Sequence, residues 1–361
     1  MPIDLHSRLE ARGPLPFPEF MAWALYDPDS GYYADPGRTR IGREGDFITS
    51  VAIGPLFGRL LARRIHAAWT VHNRPRPFTL LEAGPEDGQL ARDILAEAEA
   101  LDPGFREALH YAAVEPMPRK REALAARLAD LPRATVHAEA SEVRGTWGAV
   151  LANEVLDALP VHLLTFTAGA WHERRVAPAD DKGLALVPAA IEDDRLAAFC
   201  DRLGTRFPDP YHTEACLAYE PFLAPFAAAF DQALMILIDY GFPAAEYYHP
   251  GRSEGTLRTY RRHRATDDPL LDPGEQDITT HVNFTAVEEA ARAAGFTPAG
   301  ITPQEIYFTR LMAPLLPGLD PGGDDGKQVL QQFRTLTHPS FLGTRFLVAE
   351  FTKGIPPAPG A

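Results

Sequence analysis

The sequence predicts an α/β fold of the Rossmann-like kind, with a mostly parallel seven-stranded sheet, an N-terminal helical extension and two long insertions. Three observations carry this. Phe78–Leu81 is a short run of large apolar residues broken by Gly84-Pro85-Glu86-Asp87-Gly88, and Leu90, Ile94 and Leu95 then recur at helical spacing. Apolar strand-like runs and helical segments alternate regularly after that turn, which implies βαβ units and a parallel sheet. Acidic residues stand at or just beyond the ends of several of those runs, where ligands of open α/β sheets sit.

Taken in order, the N-terminal part is helical. Phe17, Phe20, Met21 and Leu25 share one face, and Asp27-Pro28 ends the pattern. A glycine-punctuated loop from Asp29 to Gly45 leads to Asp46–Ser50, and Pro55 suits the first turn of a helix. In that helix Leu56, Phe57, Leu60, Leu61 and Ile65 form the buried face, with Arg59, Arg63 and Arg64 directed elsewhere. Strands follow at Phe78–Leu81, His110–Val114, Ala134–His137, Trp147–Ala152, Leu234–Asp239 and Phe296–Ile301. A last strand, Thr344–Phe351, returns antiparallel at the edge. This gives an N-terminal region over 1–75, a core over 76–353 with insertions at about 161–230 (after the fourth strand) and 242–283 (after the fifth), and a frayed tail over 354–361. The first insertion opens with a hairpin-like stretch. The second is rich in Tyr, His and Arg and suits a binding surface.

Composition narrows the function. Of 361 residues, 45% are hydrophobic and 23% charged, which is ordinary for a globular protein. A net charge of −14 argues against nucleic acid as a partner, since a phosphate backbone needs a basic footprint. No apolar run is long enough to insert in a membrane, and the first residues lack a basic-then-apolar signal. Cys200 and Cys216 have no metal-binding spacing. The expectation is a cytoplasmic protein with no metal.

Several residues are placed for chemistry. Glu115, about 30 residues beyond the turn, is where Rossmann-like sites hold ribose hydroxyls. Asn153 and Glu154 follow the fourth strand and Asp157 comes three residues later, so the two acids share a face if the segment turns helically. Asp239 ends the next strand. Paired carboxylates at such an edge hold a guanidinium through bidentate hydrogen bonds. Gly251-Arg252-Ser253-Glu254-Gly255 matches a hydrolase nucleophile elbow, but neither a buried strand before it nor a core helix after it is evident. The dinucleotide fingerprint of an oxidoreductase is absent, because Glu86 stands at its second glycine.

The ordered blocks Gly31-Tyr32-Tyr33, Gly45–Ser50, Glu82–Gly88, Val114–Pro116, Asn153–Val161, Asp239–Gly241 and Pro273–Phe284 resemble the MidA-like family. That family includes a mitochondrial complex I assembly factor that is a protein arginine methyltransferase. The resemblance implies a class I methyltransferase fold and S-adenosyl-L-methionine as cofactor. It implies that Glu82, Gly84, Pro85 and Gly88 line the cofactor and that Glu115 takes its ribose. Asn153 and Glu154 would lie beside the transferring methyl, and Asp46, Thr49 and Ser50 would close over the methionine end. Glu154, Asp157 and Asp239 are the expected catalytic acids. The acceptor implied is arginine on a protein partner, a complex I subunit in the best understood member, which forms symmetric dimethylarginine. One position departs from the family's Gly-Pro-Gly-x-Gly turn: Glu86 replaces the middle glycine, where positive φ and close backbone approach favour glycine. That departure leaves open an alternative of another class, a methyltransferase fold that has become a non-catalytic binding or assembly protein.

Overall fold

The computed structural model describes residues 9, 13–37, 49–179, 183–261, 264–266, 268–338, 343 and 346–356. The chain divides into two compact units. The core unit comprises Thr39–Leu156, Pro221–Gly241 and Glu288–Ala361, and the second unit comprises Met1–Arg38, Asp157–Glu220 and Phe242–Val287. This differs from the boundaries drawn on sequence. Residues 1–75 do not form one region: helix α1 (Leu56–Val71) contributes its apolar face to the core unit, whereas Phe17–Tyr26 packs within the second. No described helix is long and apolar enough to cross a membrane.

In the core unit, strands β1 (Phe78–Ala83), β2 (Leu109–Val114), β3 (Ala134–His137), β4 (Gly145–Asn153), β5 (Phe230–Phe242), β6 (Thr297–Pro303) and β7 (Phe346–Lys353) run in the order β3-β2-β1-β4-β5-β7-β6. The first five are parallel, and β7 is antiparallel to both of its neighbours. Helices α2 (Gln89–Leu101) and α3 (Pro118–Leu128) make the crossovers out of β1 and β2. β1 and β5 are apolar on both faces because a parallel sheet is covered on both sides.

The last strand is not at the edge. β7 lies between β5 and β6, and the edge falls to β6. The reason is local. β7 is buried along nearly its whole length, while β6 carries Pro298, which lacks a backbone donor, beside a register shift at Gly300. A proline is tolerated in a sheet at an edge or bulge.

Arg64 also departs from expectation. It is 4% exposed, and its Nε and Nη2 donate to Glu350 Oε1 and Oε2 at 2.7 and 2.8 Å. Tyr307 Oη donates to the same Glu350 Oε1 at 2.6 Å, so α1, α4 (Gln304–Met312) and β7 meet at one buried ion pair. Arg59 and Arg63 do face outward and approach Glu97.

In the second unit, the strands Leu15–Pro16, Ala170–Pro178, His162–Thr167 and Tyr211–Ala215 form a sheet in that order, with Leu184–Ala189 paired to Ala170–Pro178. The expected hairpin is present, since Thr167 pairs with Ala170. Phe17, Phe20, Met21, Ala24 and Leu25 of the first helix join Leu163 and Val176 in one apolar cluster. Ser253 lies in a turn whose carbonyl accepts from the His212 N–H at 2.7 Å, and the chain continues into a strand (Arg258–Arg261), not a helix. The elbow geometry is therefore absent.

Removing the guanidinium of the buried pair leaves Glu350 without its counter-charge. Arg64→Ala is expected to destabilise the core unit by about 3–5 kcal/mol. Urea unfolding followed by tryptophan fluorescence checks this, and an unchanged midpoint would refute the pair's role.

Candidate functional site

Parallel pairing brings three expected residues to one edge. Ala83 is in register with Val114 on one side and with Ala152 on the other. The next residues along the chain are Gly84, Glu115 and Asn153, so the glycine turn, the acidic residue and the amide emerge side by side. The strand order reverses here, because β1 feeds β2 on one flank and adjoins β4 on the other. Such a switch point opens a crevice beyond the carboxyl ends of the strands.

The backbone of the turn is left-handed three times. Gly84 has φ +66°, Glu86 φ +43° and Gly88 φ +80°. A Cβ on Gly84 would lie 2.7 Å from Val155 Cγ2, and one on Gly88 would lie 2.7 Å from Leu128 Cδ2. Glycine is thus required at both positions by conformation and by space. Pro85 closes the turn, its carbonyl accepting the Gly88 N–H at 2.8 Å. Glu86 adopts the conformation that the family glycine provides, and its Oε2 lies 3.3 Å from Lys120 Nζ. The substitution therefore leaves a glycine-like turn, with its carboxylate drawn into an ion pair.

Glu115 is 3% exposed. Its Oε1 accepts the Met117 N–H at 2.8 Å, and its Oε2 lies 3.2 Å from Lys120 Nζ. Glu82, two residues before Gly84, is buried in β1 and accepts the Tyr111 hydroxyl at 2.6 Å. Burial pushes its carboxyl up to about 7, against the opposing pull of that hydrogen bond. Glu82 thus ties β1 to Tyr111 of β2 just before the turn.

Beyond β4, Glu154 has φ +54°, a left-handed conformation uncommon for a residue with a side chain and a mark of functional edges. Its N–H donates to Ile238 O at 2.9 Å. Its Oε1 accepts the Ser50 N–H and the Asn153 Nδ2, each at 3.1 Å. Ser50 Oγ and Asn153 Oδ1 are buried side-chain atoms with no hydrogen-bond partner. Buried polar atoms are nearly always paired, so two orphans flanking one carboxylate fit a polar ligand. Thr49, 4% exposed, accepts the Ala52 N–H at 3.3 Å through its Oγ1 and shapes the same short segment. Asp46 lies outside the described residues.

Of the three expected catalytic acids, Glu154 and Asp239 belong to the core unit and Asp157 to the second. Asp239 is fully buried, its Oδ2 accepting the Leu156 N–H at 2.9 Å and its Oδ1 the Tyr240 N–H at 2.8 Å. Both oxygens are bound to backbone, so Asp239 fastens the exits of β4 and β5. Asp157 falls in the second unit, where it is 6% exposed and its carbonyl accepts the Thr280 N–H at 2.9 Å. Glu154 is the expected acid that stays beside the orphaned atoms. Sequence reasoning missed Lys120 and Tyr111. Lys120 lies five residues after Glu115 in the cationic helix start Arg119-Lys120-Arg121, and nothing in the sequence separates it from its neighbours.

The described residues fit S-adenosyl-L-methionine: a left-handed glycine turn at the strand ends, a fixed acid beside it, and unpaired polar atoms one strand away. No described group of His, Cys, Asp or Glu could hold a metal ion. Comparison with known proteins agrees. A family model described as "Putative S-adenosyl-L-methionine-dependent methyltransferase" matches residues 60–302. A crystal structure from Burkholderia thailandensis bound to S-adenosyl-homocysteine superposes with a TM-score of 0.86 at 32% identity, covering 98% of this chain and 92% of that one. The mitochondrial protein arginine methyltransferase NDUFAF7 homolog of Drosophila melanogaster is 29% identical, with 98% of this chain and 84% of the relative covered. For the human NDUFAF7 the values are 26%, 95% and 81%.

Glu82 gives a pH dependence with a defined sign. Its folded value, about 7, exceeds its ordinary value of 4.5, so the folded state holds a proton that the unfolded state releases. The contribution is full below about 4.5 and is lost as pH rises through about 7, by on the order of 3 kcal/mol. Urea midpoints at pH 5 and pH 8 should show this slope in the wild type. Glu82→Gln should flatten it, and equal slopes in both proteins would exclude Glu82 as its source.

Proposed function

This chain belongs to the S-adenosyl-L-methionine-dependent methyltransferase family, and from that premise we propose that it methylates arginine on a protein partner. Gly84, Pro85 and Gly88 would line the cofactor, Glu115 would accept hydrogen bonds from its ribose, and Ser50 and Asn153 would complete the polar contacts. When bound, S-adenosyl-L-methionine supplies an electrophilic methyl group.

The chain's own residues address the harder half of the reaction. A guanidinium is a poor nucleophile because it keeps its proton, with a pKa above about 12. Glu154 would orient the guanidinium through charge-assisted hydrogen bonds and take up the proton that the methylated nitrogen gives up. Its Oε1 is already fixed by Ser50 N and Asn153 Nδ2, so the carboxylate is held in one orientation before any substrate arrives. The left-handed Glu154, flanked by two orphaned buried atoms, is the observation that carries this reading. The arginine acceptor is supported by relatives named as protein arginine methyltransferases. A respiratory complex I subunit as that acceptor, with symmetric dimethylarginine as product, is the finer proposal and rests on the family resemblance. Nothing at the turn favours a non-catalytic scaffold, since Glu86 keeps the glycine-like backbone.

Incubation with S-adenosyl-L-methionine and the soluble arm of a respiratory complex I, read by peptide mass spectrometry, tests the proposal. Methylated arginine is expected. Glu154→Gln should lower its yield about 100-fold, and Glu115→Ala should weaken cofactor binding about 100-fold. Transfer confined to another residue type would exclude the arginine acceptor. Undiminished transfer by Glu154→Gln would remove that carboxylate from the reaction.

A further inference from the structure

We propose that Lys120 is a positioning residue for the cofactor: its ammonium locks the Glu115 carboxylate in the rotamer that receives the ribose hydroxyls, and Glu86 is its second counter-ion. The inference rests on the assignment of Glu115 to the ribose and goes beyond it.

The geometry is a three-group chain. Lys120 Nζ lies 3.2 Å from Glu115 Oε2 and 3.3 Å from Glu86 Oε2. The Lys120 side chain is 8% exposed and that of Glu115 4%, so this pair is removed from water, where an ion pair is held more strongly than at the surface. Glu115 is fixed at both oxygens, by Met117 N–H on Oε1 and by Lys120 on Oε2. Each carboxylate oxygen has a second acceptor site. A carboxylate clamped in this way presents two adjacent acceptors, which suits a vicinal diol.

Arg119 and Arg121 flank Lys120 at the start of α3, and of the three it is Lys120 that is buried. Lys120 occupies the first turn of α3, where the helix dipole disfavours a cation. Two carboxylates offset that cost. Glu86 in turn holds a left-handed backbone that glycine would adopt with less strain. What it contributes is a second charge that holds Lys120 over Glu115. Lys120 also offsets the charge that Glu86 adds to the turn.

Calorimetric titration of the full chain with S-adenosyl-homocysteine and with its 2′-deoxy analogue distinguishes positioning from scaffolding. The wild type should prefer the ribose form by about tenfold, the worth of one hydrogen bond to a charged group. Lys120→Met should collapse that preference to about twofold or less, because a swinging carboxylate gains little from the hydroxyl. Lys120→Arg should restore it in large part. Glu86→Gly in the Lys120→Met background should recover at least about threefold in affinity, since one of two uncompensated carboxylates is gone. Should Lys120→Met fail to fold in a thermal scan, Lys120→Gln reads the same preference without the charge. Equal weakening of both ligands, with the preference intact, would make Lys120 a mere structural residue and overturn the proposal. A wild type that binds S-adenosyl-homocysteine without preferring the ribose form would instead overturn Glu115 as the ribose acceptor.

Discussion

The site depends on a backbone constraint at the carboxyl edge of the sheet. Parallel strands that end in register deliver their next residues to one line, and each chain must then turn away without filling the space in front of it. Left-handed residues perform that turn: Gly84, Glu86 and Gly88 after β1, and Glu154 after β4. At Gly84 a side chain would meet Val155. Glycine there gives Val155 its room and the chain its left-handed turn, so packing and conformation are one requirement. At Glu154 the same conformation serves the opposite purpose and holds a side chain at the edge.

Buried carboxylates in the core unit fall into two kinds, and their partners separate them. Glu350 is closed by Arg64 and Tyr307, and Asp239 by two backbone N–H groups. Their oxygens are engaged by the protein itself, and such arrangements hold helices and strands in place. Glu154 differs through its surroundings, because the residues that donate to it each carry a further buried atom with no partner, Ser50 Oγ and Asn153 Oδ1. Satisfied polarity is the mark of architecture, and unsatisfied polarity at a strand edge is the mark of a site. Asp239 lies within β5 and Glu154 just beyond the end of β4, and it is Glu154 that those unpaired atoms flank.

The sequence was legible where periodicity and turn chemistry act locally. Phe78–Gly88 folds as a buried strand, a glycine turn and a helix, and Pro55 and Asp27-Pro28 bound helices as their chemistry dictates. It was less legible where the outcome depends on distant partners. Thr344–Phe351 reads as a strand, but its place between β5 and β6 is set by competition with a proline-bearing neighbour. Arg64 looks like a surface residue in a helical repeat, and only Glu350, 286 positions away, makes its burial tolerable. Asp157 and Glu154 are three apart, which suggested a shared face. Asp157 lies inside a short 3-10 turn, Leu156–Ala158, that starts only after Glu154, and the boundary between the units falls after Leu156.

Glu86 shows how a departure from a motif is to be weighed. Judged as a lone substitution, it sets a strained backbone and a negative charge in a turn built for glycine, and it argues for lost function. Judged with Lys120, it is half of an ion pair, and the lysine's other partner is the acid proposed to read the cofactor's ribose. Backbone strain and charge were the two objections to it. The strain is held at a single residue in a turn otherwise made by Gly84 and Gly88, and the charge is offset within 3.3 Å. A motif defined by residue type records one solution to a physical requirement, and the requirement here is a left-handed turn that leaves the strand end open. Glutamate meets it when a buried cation stands opposite, so the turn and the helix that follows β2 are to be read as one unit of sequence.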